Sequence, residues 1–297
     1  MDRLDINTLR RRIQSALAED IGSGDVTTGS VVTSSPHTYA EIVARQDGVV
    51  AGIQVASMVF EELESGLGIS PYCEDGDEVS SGDRVLALEG DGGAILSGER
   101  LALNLLGRMS GITTLTRQYV QAIAGTGAQI LDTRKTTPLW RDLEKYAVRL
   151  GGGANHRMGL YDMILIKENH IRWAGGIGNA VKHAFAYVQS HDPDIEVEVE
   201  VRSLEELEEA LKLGVSRVLL DNMTPGIVAE AVELTEGEAT LEVSGGIDLH
   251  SVRSYGETGV DYISVGSLTH SAPVLDLSLL FRDQDSASTN DIITTGG

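Results

Sequence analysis

Between Gln129 and Val265 the chain repeats one pattern six times: a short apolar run that closes on a polar residue or a glycine turn, then a stretch with helical spacing. The runs are QILD (129–132), DMILIK (162–167), IEVEVEV (195–201), SRVLLD (216–221), TLEVS (240–244) and VDYISV (260–265). Strands separated by crossover helices imply a parallel sheet, either doubly wound or rolled into a barrel. Nearly every run ends on a strongly polar residue, which favours the barrel, where all C-terminal strand ends share one mouth. The spacing predicts a helix over Pro138 to Leu150 with Leu139, Leu143, Ala147 and Leu150 on one face and Gly151 as its stop. A second, over Ser203 to Leu213, opens with a capping box of Ser203 and Glu206.

Upstream the pattern changes. HTYAEIVARQDGVVAGI and CEDGDEVSSGDRVLALEG read as strands with Asp-Gly and Ser-Gly-Asp turns, SMVFEELESGLG as a short helix between them, and Ser97 to Ala124 as a longer helix. The N-terminus reads as an amphipathic helix on Ile6, Leu9, Ile13 and Leu17 rather than as a signal peptide. A length of 297 residues suits one large domain and a smaller one. The DGDEV to ALEG hairpins resemble biotinyl and lipoyl carrier domains, but no lysine precedes Lys135, so the carrier reading fails. No apolar run approaches the ~20 residues that span a bilayer. Cys73 is the single cysteine, which agrees with a reducing cytoplasm and no internal disulfide.

The net charge is −22 and the isoelectric point about 4.6, with five lysines. Long-range repulsion therefore disfavours nucleic acid and anionic membranes as partners. Such acidity also suits a salt-rich, halophilic cytoplasm in which surface carboxylates are screened; full stability in dilute buffer would argue against that. Against this background Arg134, Lys135, Arg141, Lys145, Arg149, Arg157, Lys167 and Arg172 form a cationic island with only Asp142, Glu144, Asp162 and Glu168 among them. An island of this kind points to a polyanionic ligand. Arg141, Lys145 and Arg149 read as the solvent face of their helix. Arg134, Lys135, Arg157 and Lys167 stand beside apolar strands, where an idle charge is costly, and read as functional.

The strand ends supply Asp132-Thr133-Arg134-Lys135, Lys167-Glu168-Asn169-His170, Glu200, Asp221-Asn222, Ser244-Gly245-Gly246 and Val265-Gly266-Ser267. The two glycine turns follow the last two strands, where backbone amides can approach a phosphate. Glu196, Glu198 and Glu200 alternate on one face of their strand. An edge strand with its glutamates in water is the simpler reading; if they face inward, they need lysine, arginine or a divalent cation beside them. Glu200 and Asp221 are natural oxygen donors for Mg²⁺ together with a substrate phosphate.

These residues, in this order, resemble the quinolinate phosphoribosyltransferase family. The motifs are EDIGSGDVTT (19–28), GERLALNLLGRMSGI (98–112), the block from DTRKTTPLW to IKENHI (132–171), EVEVRSLEE (198–206), LLDNM (219–223), SGGI (244–247) and TGVDYISVGSLTHS (258–271). The resemblance implies an N-terminal α/β sandwich over 1–110, with residues about 275–285 packing back on it, and an incomplete α/β barrel of the type II phosphoribosyltransferase kind over 111–274, followed by a polar tail at 283–297. It implies a cytoplasmic homodimer, or a larger even-numbered assembly, whose subunits complete each other's sites. Quinolinate would meet Arg134, His156, Arg157 and Lys167, with Arg100 contributed across the interface. Phosphoribosyl pyrophosphate would meet Lys135, Glu200, Asp221, Ser244, Gly245, Gly246, Val265, Gly266 and Ser267, with His270 close by, and Thr133 would also bind substrate. Lys135, Lys167, Glu200 and Asp221 would carry the catalysis, and Glu200 and Asp221 the Mg²⁺.

The implied activity is phosphoribosyl transfer to quinolinate with loss of CO₂, a pentosyltransferase step of NAD biosynthesis. Ribosylation makes the ring nitrogen positive, so the ring itself accepts the electrons released on decarboxylation and no organic cofactor is required. Two other readings stand beside it: a relative acting on another heterocycle, and a barrel aldolase with Lys167 as a Schiff-base lysine.

Overall fold

The computed structural model describes residues 5–32 and 37–282. Two compact units result, one built from the chain before Leu115 together with the segment after Ala272, the other from Leu115–Ala272. The polar tail expected at 283–297 lies outside the described residues.

In the first unit, α1 (Ile6–Ile21) is capped by the Asp5 carboxylate, which accepts the Asn7 amide hydrogen, and buries Leu9, Ile13 and Leu17, while Ile6 stays exposed. A short α2 (Val26–Val31) follows, capped by Asp25. Next come β1 (His37–Ala44), β2 (Gly48–Val49), α3 (Ile53–Leu63), β3 (Gly68–Pro71), β4 (Glu78–Val79) and β5 (Arg84–Asp91). The helix α3 starts four residues before the expected SMVF segment. The Asp75 carboxylate accepts the amide hydrogens of Gly52 and Ile53, which fixes its start. The strands β1, β5 and β3 form an antiparallel sheet, to which the C-terminal strand Leu277–Arg282 adds on the free edge of β1. Val55, Val59 and Phe60 of α3 fill its core with Ile42, Leu86 and Leu88, each contributing about 1.5 to 3 kcal/mol of apolar burial.

The long α4 (Gly92–Ala122) leads into the second unit. There, β6 (Gln129–Leu131), α5 (Arg141–Leu150), β7 (Ile164–Ile166), α6 (Glu168–Ala174), α7 (Ile177–His191), β8 (Val197–Val201), α8 (Leu204–Lys212), β9 (Arg217–Asp221), α9 (Pro225–Thr235), β10 (Thr240–Ser244), α10 (Val252–Gly256), β11 (Tyr262–Ser264) and α11 (Ser267–His270) alternate. All six strands are parallel, in the order β6-β11-β10-β9-β8-β7, with β6 and β7 as unjoined edges. The sheet curls: Ala154 bridges to Leu131 on β6, yet His156, two residues on, reaches Glu198 on β8, four strands away. It is an α/β barrel left open.

Three expectations are corrected. The glutamate strand is no edge: β8 lies between β7 and β9, Glu198 and Glu200 are buried inside the barrel, and only Glu196 is exposed. Lys145 does not face solvent but is wholly buried, and Arg141 is half-buried, donating to the carbonyl of Met158. Leu139 is 77% exposed with φ 68°, because the helix begins only at Arg141, beyond the turn closed by the Trp140 amide on the Thr137 carbonyl. The capping of α8 by Ser203 is present, whereas the Glu206 carboxylate reaches one residue further, to the amide of Arg202.

Candidate active site

A cavity of about 660 Å³ opens at the C-terminal ends of the barrel strands. Its cationic wall comes from the loops after β6 and α5. Arg134 and Lys135 follow β6; Arg157 follows the bridge at Ala154. Arg157 Nη1 donates to the carbonyl of Met163 at 3.0 Å, fixing the guanidinium. Burial, and then the positive charge of Arg134, push Arg157 below its ordinary value. The Nε of Arg134 is buried with no hydrogen-bond partner. Among the described residues, no carboxylate comes within ion-pair distance of Arg134, Lys135 or Arg157. Neighbouring cations with no carboxylate in direct contact form a receptor for an anion.

The opposite wall is acidic. Lys167, at the end of β7, places Nζ 2.6 Å from Glu200 Oε2 on β8. This lysine is 47% exposed, unlike the desolvated lysine of a Schiff-base site. Asp221, ending β9, accepts from Arg202 Nε at 3.3 Å, and Arg202 in turn pairs with Glu168 at 2.6 Å. Glu200 Oε1 and Asp221 Oδ1 accept no hydrogen bond among the described residues. Two free carboxylate oxygens on the wall of an open cavity suit Mg²⁺, which keeps water and phosphate oxygens in its shell.

The glycine turns after β10 and β11 complete the mouth. Gly245 has φ 107°, and a Cβ there would stand 2.3 Å from Asn222 Oδ1. Gly266 lets the chain pass the Lys135 side chain, where a Cβ would lie 3.1 Å from Cδ. Thr269 donates to the Lys135 carbonyl at 2.8 Å, and Thr133 accepts the Lys135 amide hydrogen, so the Lys135 backbone is held from both sides. Ser244, Gly246, Val265, Ser267 and His270 also line the cavity. Arg100 does not; it is exposed on α4 in the first unit.

Beneath these residues lies a buried scaffold that sequence reasoning missed. The Asp132 carboxylate accepts from Lys145 Nζ, from Asn155 Nδ2 at 2.6 Å and from the His156 amide at 2.9 Å. One carboxylate thus ties the loop of Arg134 to the loop of Arg157. Burial pushes the Asp132 carboxyl up and the Lys145 ammonium down, each opposed by the other's charge. His156 accepts the Arg157 amide hydrogen on Nδ1 at 2.7 Å and turns Nε2 inward, 3.0 Å from Glu198 and 3.4 Å from Glu242. Arg217 bridges the same two carboxylates, Nε to Glu198 at 3.1 Å and Nη2 to Glu242 at 3.0 Å. These three ligand-capable side chains enclose a guanidinium, which already supplies the positive charge that a metal would bring. The arginine that opens the run RVLLD was the available signal: on the adjacent strand it stands in register with Glu198.

Comparison with known proteins gives the family. The chain matches the quinolinate phosphoribosyl transferase N-terminal domain over residues 25–110 and the C-terminal domain over 112–280. It is 43% identical over 287 residues to a mitochondrial decarboxylating quinolinate phosphoribosyltransferase of Nicotiana glauca, covering 91% of this chain and 81% of that one. It is also 43% identical to a probable carboxylating nicotinate-nucleotide pyrophosphorylase of Bacillus subtilis, covering 91% and 92%. The solved nicotinate-nucleotide pyrophosphorylase of Francisella tularensis superposes with a TM-score of 0.89 at 39% identity, over 94% of this chain and 98% of that one. The chain belongs to the quinolinate phosphoribosyl transferase family.

Proposed function

We propose that this chain transfers the phosphoribosyl group of phosphoribosyl pyrophosphate to quinolinate and releases CO₂, giving nicotinate mononucleotide and pyrophosphate. The observation that carries the reading is the pair Arg134 and Arg157, which line one wall without a carboxylate partner. A pyridine with two adjacent carboxylates supplies the missing charges.

Lys135, held beside the Gly266 turn, faces the phosphate-bearing cosubstrate and stabilises the departing pyrophosphate. Glu200 and Asp221 hold Mg²⁺, which when bound neutralises pyrophosphate charge. Lys167 keeps Glu200 in place and leaves its second oxygen toward the cavity. The amides of the Gly245-Gly246 and Gly266-Ser267 turns receive the 5′-phosphate. Two subunits form the working unit, with Arg100 reaching the partner's quinolinate, in a cytoplasmic enzyme. Among the described residues, no helix is long and apolar enough to cross a membrane.

The test is release of labelled CO₂ from carboxyl-labelled quinolinate. It should require both phosphoribosyl pyrophosphate and Mg²⁺, stop with a chelator and resume on adding Mg²⁺. Labelled CO₂ appearing without the sugar phosphate, or none with all components, would refute the reaction.

A further inference from the structure

One wall residue has no part in the roles above. Glu242 of β10 is wholly buried yet lines the cavity beside Ser264 of β11. Ser264 Oγ donates to Glu242 Oε1 at 2.6 Å and, more weakly, lies 3.5 Å from the Asp132 carbonyl. The groups that face Glu242 come from every adjoining element: Glu198 of β8, Arg217 of β9, Ser264 of β11 and His156 of the loop beside β6. Because His156 Nδ1 accepts an amide hydrogen, Nε2 is the ring nitrogen that faces the carboxylates. Arg217 bridges the same two carboxylates. Burial, and then the charge of Glu198, push Glu242 up to about 7.

The reaction proposed above needs a proton donor that reaches this cavity. When the bond from ring C2 to its carboxylate breaks, CO₂ leaves, the bonding pair stays on C2, and C2 must gain a proton. Arg134 and Arg157 do not give up protons, and Lys167 is engaged by Glu200.

We infer that Glu242 delivers this proton through the Ser264 hydroxyl. The Ser264 O–H bond breaks as C2–H forms, the serine oxygen takes the proton from Glu242 Oε1, and Glu242 is left as a carboxylate that solvent reprotonates after product leaves. The 2.6 Å contact serves both stages, since hydroxyl and carboxyl exchange donor and acceptor roles across it. This inference rests on the reaction proposed above.

Single-turnover measurements on the full chain with Mg²⁺ separate pyrophosphate formation from CO₂ formation. In Glu242→Gln, pyrophosphate formation should stay within about threefold of the unsubstituted enzyme, while CO₂ formation slows about 10²-fold, the scale of general acid catalysis. The ribosylated dicarboxylate should then accumulate, because C2 recaptures CO₂ before a proton arrives. A role in holding the barrel together would slow both steps alike, so an equal fall in the two rates, or no fall in either, overturns the inference. Ser264→Ala, which leaves the buried charges intact, is judged by the same ratio and decides the matter if Glu242→Gln does not fold. Failure of the unsubstituted enzyme to release CO₂ would instead sink the reaction itself.

Discussion

The ammonium of Lys145 reaches the carboxylate of Asp132 with both side chains wholly buried. Removing one partner leaves an uncompensated charge in the interior. Lys145→Met should lower stability by about 3 to 5 kcal/mol in urea denaturation. It should also raise the KM for quinolinate, because Asp132 orders the His156 backbone amide and the Asn155 side chain as well. A loss below about 1 kcal/mol would show that the pair does not tie the two loops.

Arg157 and Lys135 are placed for binding rather than for holding the fold. Arg157→Ala and Lys135→Ala should each cut kcat/KM by about 10²-fold or more, while stability changes by no more than about 1 kcal/mol. Either variant with unaltered kinetics would remove that residue from the site.

Arg100 stands exposed on α4 and outside the cavity lining. Mixing inactive Arg100→Ala chains with inactive Lys167→Ala chains should restore activity, because one site of each mixed dimer then carries both intact residues. Verified mixed dimers without recovery would argue for sites complete within one chain.

Glu41 in the first unit accepts from Tyr39 and Tyr72 hydroxyls at 3.1 and 3.2 Å and pairs with Arg84 and Arg282 at 3.4 and 3.1 Å. Burial opposes its ionisation, but these donors outweigh it and hold the carboxyl below its ordinary value. A lowered folded-state value adds stability above the unfolded value of about 4.3, and that stability disappears as pH falls through the folded value. Urea midpoints followed from about pH 7 down to about pH 3 should therefore fall less steeply for Glu41→Gln than for the unsubstituted chain. Parallel curves would contradict the assignment.

Strand positions were legible because six apolar runs repeat with turns between them, and every one became a parallel strand. The mouth was legible for the same reason: strand ends of a parallel barrel converge, so Lys167, Glu200, Asp221 and both glycine turns meet in one cavity. The directions of charged side chains were not. Lys145 turns inward for a carboxylate 13 residues earlier, and Glu198 for an arginine 19 residues later. Helical spacing and strand alternation describe neighbours along an element, and neither reports a partner from another. Leu139 was misplaced because a single left-handed backbone angle delays the helix.

The guanidinium that joins Glu198 to Glu242 constrains the history of this barrel. Arg217 exchanged alone leaves two buried carboxylates without the cation that joins them, whereas either glutamate exchanged alone still leaves one carboxylate paired with the guanidinium, so change enters this trio through a glutamate and not through the arginine. Relatives that have lost Arg217 should therefore have lost at least one of the two glutamates as well, and aligned sequences that keep both glutamates without the arginine should be rare.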